Sequence, residues 1–213
     1  MMDARMAAAG MANRVAHVVH GVVSAVDPVN HAVKVVIQPD NVETGWIADG
    51  ALTQVGDIRM MCPCAVGSHV VLQPLEGDAE HYVVSGVVFD TVMMPPSSPQ
   101  TGRVAQPGEL LVMAGCGVPP TAEGQEAGRS GTGGGWFHVT PGGMFFGSGD
   151  GRVSIGASGV VIQFGDVKLS LSGRGVSVSG GTLTVSGDVM GNGHSLSEHV
   201  HPVSGGETGS AIG

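Results

Sequence analysis

Short runs in which apolar and polar residues alternate recur along most of this chain, and glycine, proline or aspartate closes each run. Such alternation puts one set of side chains on each face of an extended strand. Val18-Val19-His20-Gly21-Val22-Val23-Ser24-Ala25-Val26 meets a turn at Asp27-Pro28, and Ala32-Val33-Lys34-Val35-Val36-Ile37-Gln38 reads as its hairpin partner, ending at Pro39-Asp40-Asn41. Gly45-Trp46-Ile47-Ala48 predicts a further short strand. Ser68 to Pro74 and Tyr82 to Phe89 predict two more, joined by the turn Glu76-Gly77-Asp78. About five strands in some seventy residues suit a small closed barrel such as an OB fold.

From Thr91 to Pro107 the pattern breaks. Met93-Met94-Pro95-Pro96-Ser97-Ser98-Pro99 cannot continue a sheet, because proline has no backbone donor, so a linker with few packing contacts is expected there. Glu109 to Ala114 and Trp136 to Thr140 read as strands on either side of a glycine-rich loop, Gly115 to Gly135. Its Gly131-Thr132-Gly133-Gly134-Gly135 lacks the Gly-Lys-Ser/Thr ending of a phosphate cradle and reads as a flexible loop.

Alternation then resumes in Val153-x-Ile155, Val160-x-Ile162-x-Phe164, Val167-x-Leu169-x-Leu171, Val176-x-Val178 and Leu183-x-Val185. These strands are too short and too few to bury a two-layer core within one chain. Three chains around one axis would give every apolar face a partner, with Gly181, Gly187, Gly191 and Gly193 permitting close approach as the assembly narrows. A single-chain parallel β-helix or a sandwich is the alternative, and either would want more large core residues.

Composition narrows the function classes. Hydrophobic residues make up 42% of the chain but aromatics only 4% and charged residues only 13%, with 37 glycines, so small strand-forming side chains between glycine turns replace a conventional core. A net charge of −9, with Lys34 and Lys168 the only lysines, excludes nucleic acid as an electrostatic partner. Without basic grooves, and with only Trp46, Tyr82 and Phe89 as aromatics, the barrel reads as a structural collar rather than an oligonucleotide or sugar binder. Cys62, Cys64 and Cys116 are an odd set without Cys-x-x-Cys spacing. They read as reduced, buried structural thiols, which fits cytosolic synthesis. Met1 to Arg14 holds no signal-peptide core or membrane span and reads equally as a short helical arm or a frayed end.

Two histidines near the end carry the candidate chemistry. His199 and His201 stand two apart in Ser195-Leu196-Ser197-Glu198-His199-Val200-His201-Pro202, a spacing that sends both imidazoles to one face of a strand. Two ligands are too few for a tight site. Three copies around a threefold axis would present six nitrogens, a number suited to an octahedral first-row metal such as iron. On the motif alone, a solvated tail is the commoner reading. His194, five residues before His199, falls on the opposite face and is not expected to be a ligand. Asp150, Asp166 and Asp188 could be imagined as the carboxylates of a fibrous polysaccharide-degrading enzyme, but they stand in turn contexts and read as solvated turn residues.

Val66-Gly67-Ser68-His69-Val70-Val71-Leu72-Gln73-Pro74-Leu75-Glu76-Gly77-Asp78-Ala79-Glu80-His81-Tyr82-Val83-Val84-Ser85-Gly86 resembles the last barrel strands of contractile-tail spike proteins. That family comprises the phage baseplate assembly protein V (gpV-type) spikes and the related VgrG proteins of type VI secretion. Leu196-Ser197-Glu198-His199-Val200-His201, trailed by glycines and Thr208-Gly209, resembles the family's spike tip. The resemblance runs from about residue 18 onward and reverses the reading of the histidines. It implies an all-β chain: an N-terminal OB-fold barrel followed by an intertwined trimeric β-helix spike with a metal-capped tip.

The implied organisation is an arm (1–17), the OB domain (18–92), a linker (93–108), a glycine-rich β collar (109–152), the trimeric β-helix (153–193) and the metal-binding tip (194–213). The implied function is mechanical piercing of the host envelope, without catalysis, by a homotrimer holding one structural iron ion through His199 and His201. Its partners would be the tail tube, the baseplate hub proteins and the host outer membrane. Its place would be the virion's tail baseplate, after synthesis in the host cytoplasm. Two other expectations stand beside it: a type VI-like tip carrying an effector, and the polysaccharide-degrading enzyme.

Overall fold

The computed structural model describes residues 16–50, 52–77, 81–120, 133–198, 200 and 202–207, and among them every regular element is a β-strand. The chain divides into two compact units, Met1–Pro141 and Gly142–Gly213.

In the first unit, β1 (Val19–Asp27) and β2 (Ala32–Ile37) form the expected hairpin, followed by β3 (Val42–Glu43) and β4 (Ile47–Ala48). A separate small hairpin, β5 (Thr53–Val55) and β6 (Ile58–Met60), precedes β7 (His69–Pro74) and β8 (Tyr82–Val87). The hydrogen-bonded order β1-β7-β8-β4-β2 returns to β1, so five strands close into a barrel, with β3 appended to β2. All barrel pairings are antiparallel except β4 with β8.

Closure has visible causes in the sequence. Alternation along β1, β2 and β7 turns Val23, Val33, Val35, Val70 and Leu72 inward, where each is sealed from solvent; Ile47, Cys64 and Val84 complete the core. Each such aliphatic side chain contributes about 1.5–3 kcal/mol when buried. Irregularities between Val23 and Ala25 and between Val71 and Leu72 add the extra twist that a small ring demands. At Gly21 a Cβ would stand 2.3 Å from Val35 Cγ1, so only glycine lets β1 lie this close to β2.

The first unit ends with the antiparallel pair β9 (Leu110–Met113) and β10 (Trp136–Thr140). The proline-rich segment before it is not the loosely packed linker that its prolines predict. Ser97 bridges Val104, Ser98 N–H donates to Arg103 O at 2.9 Å, and Ser98 is 1% exposed. The division between the two compact units falls after Pro141.

The second unit is an antiparallel meander: β11 (Gly143–Ser148), β12 (Gly151–Gly156), β13 (Gly159–Phe164), β14 (Val167–Ser172) and β15 (Gly175–Ser179). Its ladder is made within one chain, and its antiparallel sense rules out the single-chain parallel β-helix. Two short pairs follow, β16 (Met190–Gly191) with β17 (His194–Ser195) and β18 (Pro202–Val203) with β19 (Gly206–Glu207). Leu183 to Val185, expected as a strand, lies outside the ladder. At the β12–β13 turn, Gly159 has φ +137° and a Cβ there would stand 2.0 Å from Leu171 O, so the meander's tight spacing depends on this glycine.

Candidate functional site

The register of the meander sorts its side chains into two unlike faces. Ile155 lies opposite Met144 and Val160, and Val160 in turn opposite Leu171, which faces Val176. One step along, Val153 pairs with Phe146 and Ile162, and Leu169 joins Ile162 to Val178. Phe164 and Val167 complete this face, which is apolar throughout its four outer strands. The opposite face carries Arg152, Gln163, Lys168 and Ser179 in one row and Ser154, Ser170 and Ser177 in another, with Phe145 and Val161 the exceptions.

The described residues of this unit leave the apolar face uncovered. Ile162 is 48% exposed, Leu171 51%, Val176 66% and Phe164 72%. Among the described residues of this unit none is buried. An ordinary monomer exposes an apolar patch of about 300–600 Å², and larger contiguous ones mark interaction surfaces. This exposed apolar face is the candidate interaction surface.

The expected ligands His199 and His201 lie outside the described residues. Earlier in the chain, Asp188 organises the short hairpin: its Oδ1 accepts from Ser197 N–H at 3.2 Å, Ser197 Oγ–H at 3.0 Å and Val189 N–H at 2.8 Å. The Ser195 hydroxyl, first, and then Ser197 and Val189 hold the Asp188 carboxyl below the usual aspartate range. Asp188 is thus a hairpin-organising residue, and Asp150 and Asp166 are exposed turn residues, as the turn contexts predict. Among the described residues no three His, Cys, Asp or Glu side chains gather as a metal site.

The thiols divide differently from expectation. All three are free, Cys64 is buried and Cys116 half-buried, but Cys62 is exposed. Cys64 N–H donates to Asp49 Oδ2 at 2.8 Å and its Sγ–H to Oδ1 at 3.3 Å. Burial, reinforced by that carboxylate, pushes the Cys64 thiol up to about 12, which makes it inert at neutral pH. The barrel's exposed Trp46 is engaged by Lys34, whose Nζ lies 5.6 Å from the ring centroid while also facing Glu43 at 3.7 Å.

Sequence reasoning missed one buried polar cluster. His138 on β10 is wholly buried, its Nδ1 2.8 Å from Ser98 Oγ and its Nε2 3.4 Å from Glu109 Oε2. Ser98 lies 40 residues from His138, so no local spacing could have paired them. The one signal was His138 in an otherwise apolar alternation after Trp136. Compared with known proteins, the chain matches no protein-family model and no curated protein sequence.

Proposed function

We propose that this protein is the central spike of a contractile tail baseplate, a homotrimer that acts mechanically on the host envelope and performs no catalysis. The observation that carries the reading is the uncovered apolar face of β11–β15, together with the resemblance of Val66–Gly86 and Leu196–His201 to the spike family.

Three such faces suit one axis on simple dimensions. A strand of six residues spans about 20 Å. Three sheets of that width, closed as a triangular prism, would each lie about 6 Å from the axis, close to half of the roughly 10 Å at which sheets pack face to face. The polar rows with Arg152, Gln163 and Lys168 then face solvent. Strands shorten from six residues in β11–β14 to five in β15 and two in β16–β19, so the prism narrows toward the C-terminus. A narrow end concentrates an axial push on a small area.

Pairs of two-residue strands cannot stabilise themselves. His199 and His201 of three chains would hold one iron ion there, a structural cross-link whose closed coordination leaves no position for catalysis. Elemental analysis of the purified protein should find one iron for every three chains, lost in His199→Ala with His201→Ala. Neutral imidazole is the ligand, so iron should also be lost as pH falls below about 6.5. One metal per chain, or metal retained by the double variant, would contradict this apex.

A further inference from the structure

The cluster at His138 joins the strap 95–107 to the β9–β10 pair through hydrogen bonds made by Ser98 and Glu109, while His138 Nε2 faces Glu109 without a hydrogen bond. Gln100 N–H donates to Ser98 Oγ at 3.1 Å, so the Ser98 hydroxyl is free to donate to His138 Nδ1 at 2.8 Å. That wiring leaves the imidazole proton on Nε2, facing Glu109 Oε2 at 3.4 Å. Glu109, its side chain 5% exposed, also accepts from Arg103 Nη2 at 2.8 Å and from Gln106 N–H at 2.8 Å. Ser98, Arg103 and Gln106 all belong to the strap, whereas Glu109 leads into β9 and His138 sits on β10. A Ser–His–Glu set invites comparison with a hydrolytic triad, but Ser98 and His138 are 1% and 0% exposed, and no substrate reaches them.

A proton acts on this wiring at Glu109. A proton on Glu109 removes the negative charge shared by Arg103, the Gln106 amide and His138. The ionisable side chains bonded within the cluster are Glu109, Arg103 and His138 itself. The barrel core, by contrast, is built from valines, leucine and isoleucine with the un-ionised Cys64, from which the buried Asp49 carboxylate accepts.

We propose that Ser98, His138, Glu109 and Arg103 form a proton-sensitive clasp, which fastens the strap 95–107 to the β9–β10 pair at neutral pH and releases it in acid while the barrel stays folded. The direction of the Glu109 shift agrees. The Gln106 amide, first, and then Arg103 and His138 hold the carboxyl below its ordinary value of 4.5, against the opposing effect of burial. A depressed carboxyl stabilises the closed clasp above that ordinary value, and the stabilisation is lost as pH falls through the folded one.

Amide hydrogen exchange on the full chain between pH 7 and pH 3, corrected for the intrinsic pH dependence of exchange, tests this. The strap amides, those of Ser98 and Gly102 included, should lose protection by about tenfold or more relative to β1 and β7 on acidification. Ser98→Ala should loosen the strap already at pH 7, and the isosteric Glu109→Gln should flatten the step below pH 4.5. His138→Gln, which keeps a donor toward Glu109, and His138→Asn, which keeps an acceptor toward Ser98, should each leave the strap partly protected. Strap and barrel losing protection together, or a Glu109→Gln chain that folds and keeps the acid step, would overturn the proposal.

Discussion

Val70 and Leu72 on β7 are sealed from solvent, whereas Ile162 and Phe164 on β13 stand 48% and 72% exposed, although both strands are six residues long and both alternate. The difference lies in how the strands are wired. In the barrel β1 pairs with both β7 and β2, so the sheet curls back on itself and each inward side chain meets another across the ring. In the meander from β11 to β15 each pairing joins consecutive strands, and nothing in the unit returns to cover the apolar face. Alternation decides which face is apolar. Closure decides whether the chain can bury that face alone, and here one unit buries its face while the described residues of the other leave theirs exposed.

Charge placed on the meander's apolar face should break this contrast most forcefully. Ile162→Asp with Leu169→Asp, cross-strand neighbours on that face, should abolish assembly, because unpaired carboxylates would be carried into the interface. Gln163→Glu, on the opposite face, should leave the assembled mass unchanged by light scattering. A barrel substitution should behave in the reverse sense. Leu72→Ala removes a wholly buried side chain and should cost about 2–5 kcal/mol of the first unit's stability in denaturant titration, with the oligomeric state intact.

The smallest effect concerns the chain's exit from the barrel. Asp90 pairs with His69, and its carboxylate accepts the Val92 and Met93 amides at 2.8 Å each. The Met93 amide, first, with His69 and the Val92 amide, draws the Asp90 carboxyl down to about 2. Its stabilisation is therefore present above the ordinary 3.8 and fades as pH falls toward 2. Asp90→Asn should lower Tm slightly at pH 7, and the difference from the parent should vanish near pH 2.

The barrel was legible because four of its five strands are valine-rich runs bounded by turn residues, and Val18 to Phe89 needed no distant partner to be read. β11 went unread because Met144-Phe145-Phe146 is an unbroken apolar run between glycines, which hides a period of two. The hairpin of β5 and β6 was passed over although Gly56-Asp57 is a fair turn signal, its strands being only three residues long. Prolines 95, 96 and 99 suggested a linker. The strap is packed nonetheless, because Ser98 reaches a histidine 40 residues away, and side-chain pairing at that range leaves no periodic trace. Of the candidate assembly site, the apolar positions of β12 to β15 could be read from the sequence, but their gathering on one uncovered face needed the register.

Light scattering on the purified full chain at micromolar concentration bears most directly on the account. A mass three times the chain's 21.4 kDa, retained on dilution, is the result that the uncovered face of the meander predicts. A mass of 21.4 kDa, with the meander still giving a β signal by circular dichroism, would contradict it.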